Sequence, residues 1–449
     1  MDVRNFGAVP DDSRDDAAAI QLALNSLTAG QWLVFPAGTY LHSSRLVVAT
    51  ARVVLWSEGA TLQATNPLDQ AIELAADGAA IYNFTLTAVT GDRLYAPSHS
   101  RIAIYGGIAR GAPLRDNVIQ GNRIVNGGAR GSALANSSSS SGIYVEYADN
   151  FLVAGNEVRR SLSDGIHITG GARNGRVLFN TVRESGDDLI GLVSYMGDGD
   201  WMRETAALLT GTLAAMRDRQ LVRDVLVAHN DVAGNYWGRG ITVVGGADIT
   251  ISNNRVSQTA IGAGILLARD ASFVTWGVNN VLVQDNTISQ VQTLPAAYTP
   301  VGWDASVPRT GHGAVEIYGF VFDDERTFAD LAEATAMQNI RVTRTTVTDA
   351  WAAGVRVGAG SGVFEALGGS DAAGRSVTRL FTGGVVRRIE LSAITMSGTA
   401  SPALEILAPT TTSDNIFCEG LTEGGRALAD VACGGARPVV TGATRSCLR

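Results

Sequence analysis

The chain has 449 residues, 45% hydrophobic and only 17% charged, with 52 glycines and a formal net charge of -8. That balance suits a large core with many tight turns and argues against a nucleic-acid surface, which needs a basic face. All 35 basic residues are Arg, which excludes lysine bases and Schiff bases, and no apolar run is long enough to span a membrane.

Near the N-terminus Val3-Arg4-Asn5-Phe6-Gly7-Ala8 leads to Ser13-Arg14-Asp15-Asp16 and then to the Ala/Leu-rich stretch from Ala17 to Leu24. Apolar spacing and the acidic start predict a short helix beginning near Ser13 to Asp16, with an acidic first turn. Gln31 to Tyr40 follows as a strand and turn.

From about residue 115 a frame recurs. Phe151-Leu-Val-Ala-Gly-Asn156-Glu-Val, Val225-Leu-Val-Ala-His-Asn230-Asp-Val and Ile249-Thr-Ile-Ser-Asn-Asn254-Arg-Val are three of its copies. Each is a strand, an Asn-bearing corner and a second strand start, with a period of roughly 22 to 26 residues, the range of solenoid repeats. Asn suits such corners because it tolerates left-handed backbone, and stacked Asn side chains hydrogen-bond along a ladder. His229 sits in one corner and reads as structural. A third strand follows each corner, as in Gly142-Ile-Tyr-Val, Gly165-Ile-His-Ile, Gly240-Ile-Thr-Val and Ala314-Val-Glu-Ile. Its alternation turns branched residues inward and the middle residue outward. No rung buries its apolar face alone, so rungs must stack, with the right-handed crossover of parallel strands.

The expected fold is therefore all-β: a single-stranded right-handed parallel β-helix over residues 1–449, with an N-terminal capping helix and short helical insertions. The cap and first rung occupy 1–40. Insertions break the period at 196–224, with a helix, and at 292–337, with a Pro-containing loop and a second short helix. Insertions on a solenoid cluster on its binding face, which makes these candidate cleft walls. Cys418, Cys433 and Cys447 lie in the last rungs without zinc spacing, so one disulfide is expected if the compartment is oxidising. Met1-Asp2 leads directly into a structured stretch, so a secreted or periplasmic protein with its leader removed is expected.

Aligning the third strands places Ser141, Asp164, Asp188, Arg239 and Ala263 in one column just before them. The outward position reads Tyr144, His167, Gly191, Thr242, Leu266. With rungs about 4.8 Å apart, Asp164 and Asp188 become neighbours, Arg239 follows one rung on, and His167 and Tyr144 stand beside them. Asp187 joins them if the turn redirects it. Tyr195 and Trp237 are candidate sugar-stacking platforms, and His312 and Glu316 further candidate substrate contacts. No metal site is assigned. An acidic pair of this kind also suits backbone capping or Ca2+.

The opening stretch resembles the N-terminal signature of pectin-lyase-like β-helix proteins, in which the helix caps the solenoid. Asp164-Gly165-Ile166 and Gly186-Asp187-Asp188-Leu189-Ile190 resemble the Asn-Thr-Asp-Gly-Ile and Gly-Asp-Asp-Cys-Ile elements of polygalacturonases. The resemblance implies Asp188 as general acid and Asp164 with Asp187 as the water-activating pair. Water between acid and base implies inversion, the outcome associated with a wide carboxylate gap. The chain departs from that family at Gly238-Arg239-Gly240, where the family has Gly-His-Gly, and lacks its Arg-Ile-Lys element. Gly311-His312-Gly313 occurs several rungs later, too far along the axis to replace it.

The leading expectation is a glycoside hydrolase acting on a polysaccharide or oligosaccharide, without a cofactor. The alternative is a polysaccharide lyase or uronate C5-epimerase, in which carboxylates, alone or through Ca2+, neutralise the uronate while Arg239, His167 or Tyr144 takes the C5 proton. A non-catalytic glycan-binding solenoid is the third. The sequence leaves the oligomeric state open.

Overall fold

The computed structural model describes residues 1–89, 100–125, 141–196, 213–235, 238–269, 275–293, 309–322, 334–359, 362–370, 376–400, 403–406 and 416–428. The chain winds into a right-handed parallel β-helix. Each typical rung gives two strands to one long sheet, on either side of the Asn corner, and a third strand to a second sheet. One rung thus runs Arg173–Leu178, Thr181–Ser185 and Ile190–Val193.

The core is a stack of like residues. Ile102, Ile143, Ile166, Ile190, Ile241, Ile265, Val315, Val355 and Leu404 pair rung to rung. None is more than 1% exposed, so each rung seals the apolar face of the next. In Ile166–Thr169, Ile190–Val193, Ile241–Val244 and Ile265–Ala268 the outward residues are buried too. A polar group on that outer face therefore sits in a low-dielectric setting.

The Asn corners form the expected ladder. Asn122, Asn156, Asn180, Asn230, Asn254 and Asn286 follow one another, each Nδ2 donating to the next Oδ1 at 3.0–3.1 Å. Each shared oxygen also accepts the backbone N–H of the Asn before it. The left-handed corner, however, belongs to the residue ahead: Gly121, Gly155, Phe179, His229, Asn253 and Asp285 have φ of 55–68°. Asn is selected for its amide and not for its backbone tolerance. His229 stacks on Phe179 with ring centroids 5.0 Å apart, a structural contact.

The cap is the helix Ala17–Asn25, with Ile20, Ala23 and Leu24 closing the first rung. Its acids lie ahead of the helix and not in its first turn. Asp15 Oδ1 accepts from Ala17 and Ser43 N–H, and Asp16 from Val9 and Leu41 N–H, stitching the cap to the Trp32–His42 strand. In the 196–224 insertion the described helix is Leu213–Gln220, held by Asp218 between Arg173 at 2.9 Å and Arg223 at 3.1 Å. Met196, Leu221, Ala247, Trp276 and Phe320 pack there as a small cluster apart from the main core. Most of the 292–337 insertion lies outside the described residues. An antiparallel hairpin, Gly362–Ser370 with Ser376–Gly383, joins the end of Val315–Phe322. It lacks the Asn-corner frame by which the rungs are read. Cys418 is disulfide-bonded, and Cys433 and Cys447 lie outside the described residues. Among the described residues no helix is long and apolar enough to cross a membrane.

Asn180 uses its amide in both directions, so Asn180→Ala strips bonds from three rungs and strands a buried N–H. A loss of about 3 kcal/mol is expected, read as a lowered midpoint in chemical denaturation.

Candidate active site

Strand pairing confirms the outward column: Tyr144, His167, Gly191, Thr242, Leu266, Glu316 and Arg356 stand on successive rungs. Ahead of those strands, Gly165 N–H bonds the Asp188 carbonyl and Leu189 N–H bonds the Arg239 carbonyl, both at 2.9 Å. The backbone ladder thus holds Asp164, Asp188 and Arg239 on adjacent rungs. Asp187 does join them: one oxygen from each of Asp164, Asp187 and Asp188 lies within 4.8 Å of the others.

Two glycines that sequence reasoning did not single out make room for this cluster. A Cβ on Gly238 would collide with Asp187 Oδ1 and Asp188 Oδ1. A Cβ on Gly191 would stand 3.0 Å from Asp164 Oδ2 and 3.5 Å from Asp188 Oδ2. Gly191 therefore leaves a notch, one side chain deep, over both carboxylates. A glycine inside an otherwise branched strand column was the available signal.

The hydrogen bonds give each acid a different state. Asp188 Oδ1 accepts the Arg239 backbone N–H at 2.7 Å and lies 3.2 Å from Arg239 Nε. A proton on Asp188 therefore belongs on Oδ2, the oxygen facing the notch. Burial pushes this carboxyl well above the ordinary range; Arg239 opposes the rise, and Asp164 and Asp187 add to it. Asp164 is filled on both sides, accepting Asp188 N–H at 3.0 Å on Oδ1 and meeting His167 Nδ1 at 2.5 Å on Oδ2. Against that carboxylate Nδ1 donates, which leaves Nε2 as the ring nitrogen not engaged by Asp164.

Tyr144 stacks on the His167 ring at 5.3 Å and 7°, and Tyr195 lies on it at 6.5 Å and 21°. Tyr144 Oη donates to Glu146 at 2.6 Å. Burial raises the Glu146 carboxyl, with Tyr144 and His167 opposing. The expected residues Asp164, Asp187, Asp188, Arg239, His167, Tyr144 and Tyr195 thus form one group, while Trp237 lies outside the described residues.

His312 and Glu316 form a separate group further along. Pairing places their rung two beyond that of Arg239, nearer than sequence spacing suggested, because the 292–309 stretch inserts residues without adding a rung. Burial holds His312 down at about 4, with the charges of Arg239 and Arg356 acting in the same direction. Glu316 is 1% exposed and accepts Gly313 N–H at 2.8 Å. Arg356 Nε is 3.9 Å from Glu316 but 3.0 Å from Glu405. Burial lifts the Glu316 carboxyl to about 7, against the pull of Arg356.

The three clustered aspartates could also offer oxygens to a cation. A calcium ion takes six to eight oxygens at about 2.3–2.6 Å. Here Asp188 Oδ1 and both Asp164 oxygens already face N–H donors, so the set fits that ion poorly. The oxygens, within 4.8 Å, also sit closer than the ~6.5–9.5 Å gap of inverting pairs. That 4.8 Å is a nearest-oxygen separation, which still admits the one water that direct attack with inversion needs.

The family model described as right-handed β-helix region matches residues 70–297, and the model described as rhamnogalacturonase A/epimerase, pectate lyase-like, matches residues 1–83. The chain belongs to the right-handed β-helix family, within the pectin-lyase-like superfamily. Among solved structures, it is similar to the catalytic unit of a GH87 α-1,3-glucanase from Streptomyces thermodiastaticus, with a TM-score of 0.58 at 15% identity over 94% of this chain and 68% of that one. The family 28 exopolygalacturonase of Yersinia enterocolitica gives 0.54 at 14% identity over 94% and 75%. The mannuronan C-5 epimerase A-module of Azotobacter vinelandii gives 0.53 at 14% over 98% and 100%. At these identities the likeness is one of fold. A search of curated protein sequences finds no match.

The Glu316 carboxyl sits near 7 in the folded chain against its ordinary value of 4.5. Its contribution to stability is thus full below about 4.5 and lost as pH rises through about 7. Glu316→Gln removes the penalty. The variant should match the parent at pH 4 and exceed it by about 3 kcal/mol above pH 7, read by denaturant midpoints across pH.

Proposed function

We propose that the protein is a glycoside hydrolase acting on a polysaccharide or oligosaccharide. The observation that carries this reading is the Gly191 notch, with the Oδ2 atoms of Asp164 and Asp188 beneath it. Asp188 is the acid: its Oδ1 is occupied by the Arg239 backbone N–H, with the guanidinium nearby, and its Oδ2 gives the proton to the glycosidic oxygen as the bond to the anomeric carbon breaks. Asp187, half-buried beside it, takes a proton from the water that attacks that carbon. One water hydrogen-bonds to two oxygens at about 2.8 Å each when they are up to about 4.8 Å apart, so a single water fits between these carboxylates. Asp164, engaged by Asp188 N–H and His167, adds negative charge to the cluster and orients the His167 ring. Tyr144 and Tyr195, stacked on His167, supply flat faces for a sugar ring.

The Asp164–His167 contact favours a second reading. With Nδ1 engaged by Asp164, Nε2 is the ring nitrogen placed to take a C5 proton from a uronate, as in a lyase or epimerase. Products separate the two readings. Hydrolysis releases reducing ends with no ultraviolet absorbance from unsaturated uronates; absorbance at the level of the reducing ends would overturn the hydrolase assignment.

Two variants follow. Asp188→Asn should lower turnover about a thousandfold with unchanged circular dichroism, and retained reducing-end release would remove Asp188 from the acid role. In the parent enzyme kcat/KM should fall as pH rises through the elevated Asp188 range, since the acid must be protonated. Gly191→Ala fills the notch, its Cβ pressing on Asp164 Oδ2, and should cut kcat about a hundredfold with the fold retained by circular dichroism. Full activity in that variant would place the reacting atoms elsewhere.

A further inference from the structure

Counting three residues back from the paired positions Ile190, Ile241, Ile265 and Val315, the column through Asp187 continues as Gly238, Gly262 and His312. A Cβ on Gly262 would come 2.9 Å from Arg239 Cγ and 3.1 Å from Arg239 Cδ, so the stem of Arg239 lies against bare backbone. Two side chains are thus missing in succession between the acids and His312, a span of roughly 14 Å over three rungs.

The ring at the far end is locked in one state. The Thr310 hydroxyl has a single hydrogen and donates it to the Ile261 carbonyl at 2.6 Å. His312 Nδ1, at 2.8 Å from the same hydroxyl oxygen, must therefore be the donor to it. Nε2 then keeps its lone pair on a ring that is neutral at pH 7 and only partly buried. The turn beneath is pinned at four backbone groups. Gln292 accepts Gly311 N–H and donates to the His312 carbonyl, Glu316 accepts Gly313 N–H, and Arg356 donates to the Gly311 carbonyl. Arg356 is matched by the Glu405 carboxylate, while Arg239 lies at the acid cluster beside Asp188. The far end therefore offers a rigid neutral acceptor, whose lone pair accepts from a hydroxyl and repels a carboxylate.

We propose that His312 reads a sugar hydroxyl in a distal subsite, its Nε2 accepting from a neutral glycan unit about three residues from the bond that is cleaved. This rests on the acid cluster being the glycosidase centre. It makes the substrate a linear glycan of at least four residues, with a hydroxyl and not a carboxylate required at the distal position.

A glycan array of linear neutral and acidic oligosaccharides of two to six residues tests it, because binding is read without turnover. The probe is the Asp188→Asn protein, compared with the same protein carrying His312→Phe, and separately Thr310→Val, which removes the partner that sets the tautomer. The expected result is binding that strengthens about tenfold from two-residue to four-residue neutral chains. His312→Phe should abolish that gain while leaving two-residue binding unchanged, and Thr310→Val should reduce it. Binding of no glycan, a length gain that survives His312→Phe, or equal weakening at every length would overturn the proposal. If the pattern holds while the parent protein releases no reducing ends, the hydrolase reading fails and the subsite stands.

Discussion

One constraint orders the molecule: every rung must repeat its neighbour's hydrogen bonds. The ladder from Asn122 to Asn286 is its clearest expression, since each amide satisfies a backbone group on one side and a side chain on the other. A corner residue that broke the pattern would leave two buried donors on the rung before it, at a cost of about 1–3 kcal/mol for each group. The ladder therefore keeps the rungs in register, and that register carries the isoleucine stack inside and the polar column outside.

The acid cluster exploits this rigidity. Three carboxylates within 4.8 Å repel one another, and in a flexible loop they would separate. In turns pinned rung to rung by backbone hydrogen bonds they cannot drift without breaking the ladder. The chain relieves the strain chemically: Arg239 faces Asp188, Asp188 N–H and His167 share Asp164, and the Asp188 carboxyl rises in pKa. The result is one proton-bearing oxygen and one engaged carboxylate under the same notch, the asymmetry that acid–base work on a glycosidic bond requires.

Glycine shapes the outer face as much as any functional side chain. Gly191, Gly238 and Gly262 have values of φ open to other residues, and it is neighbouring oxygens and the Arg239 stem that exclude a Cβ there. Their bareness opens the surface over the acids and along the axis toward His312. The buried outer face of Ile190–Val193 and Ile241–Val244 then raises the electrostatic influence of whatever polar group it carries.

The sequence by itself determined the solenoid, its third-strand register and the gathering of Asp164, Asp188, Arg239, His167 and Tyr144, because a fixed period with alternating burial converts spacing directly into adjacency. It did not determine which corner residue takes the left-handed backbone, since Gly, Phe, His, Asn and Asp all occupy that place. Nor could it place His312 on the axis, because an insertion lengthens the chain without adding a rung. The protonation pattern of the cluster and the notch above it were decided by tertiary structure alone. Both depend on which oxygen meets which donor within a few ångströms, and that distance is set where rungs from separate parts of the chain close on one another.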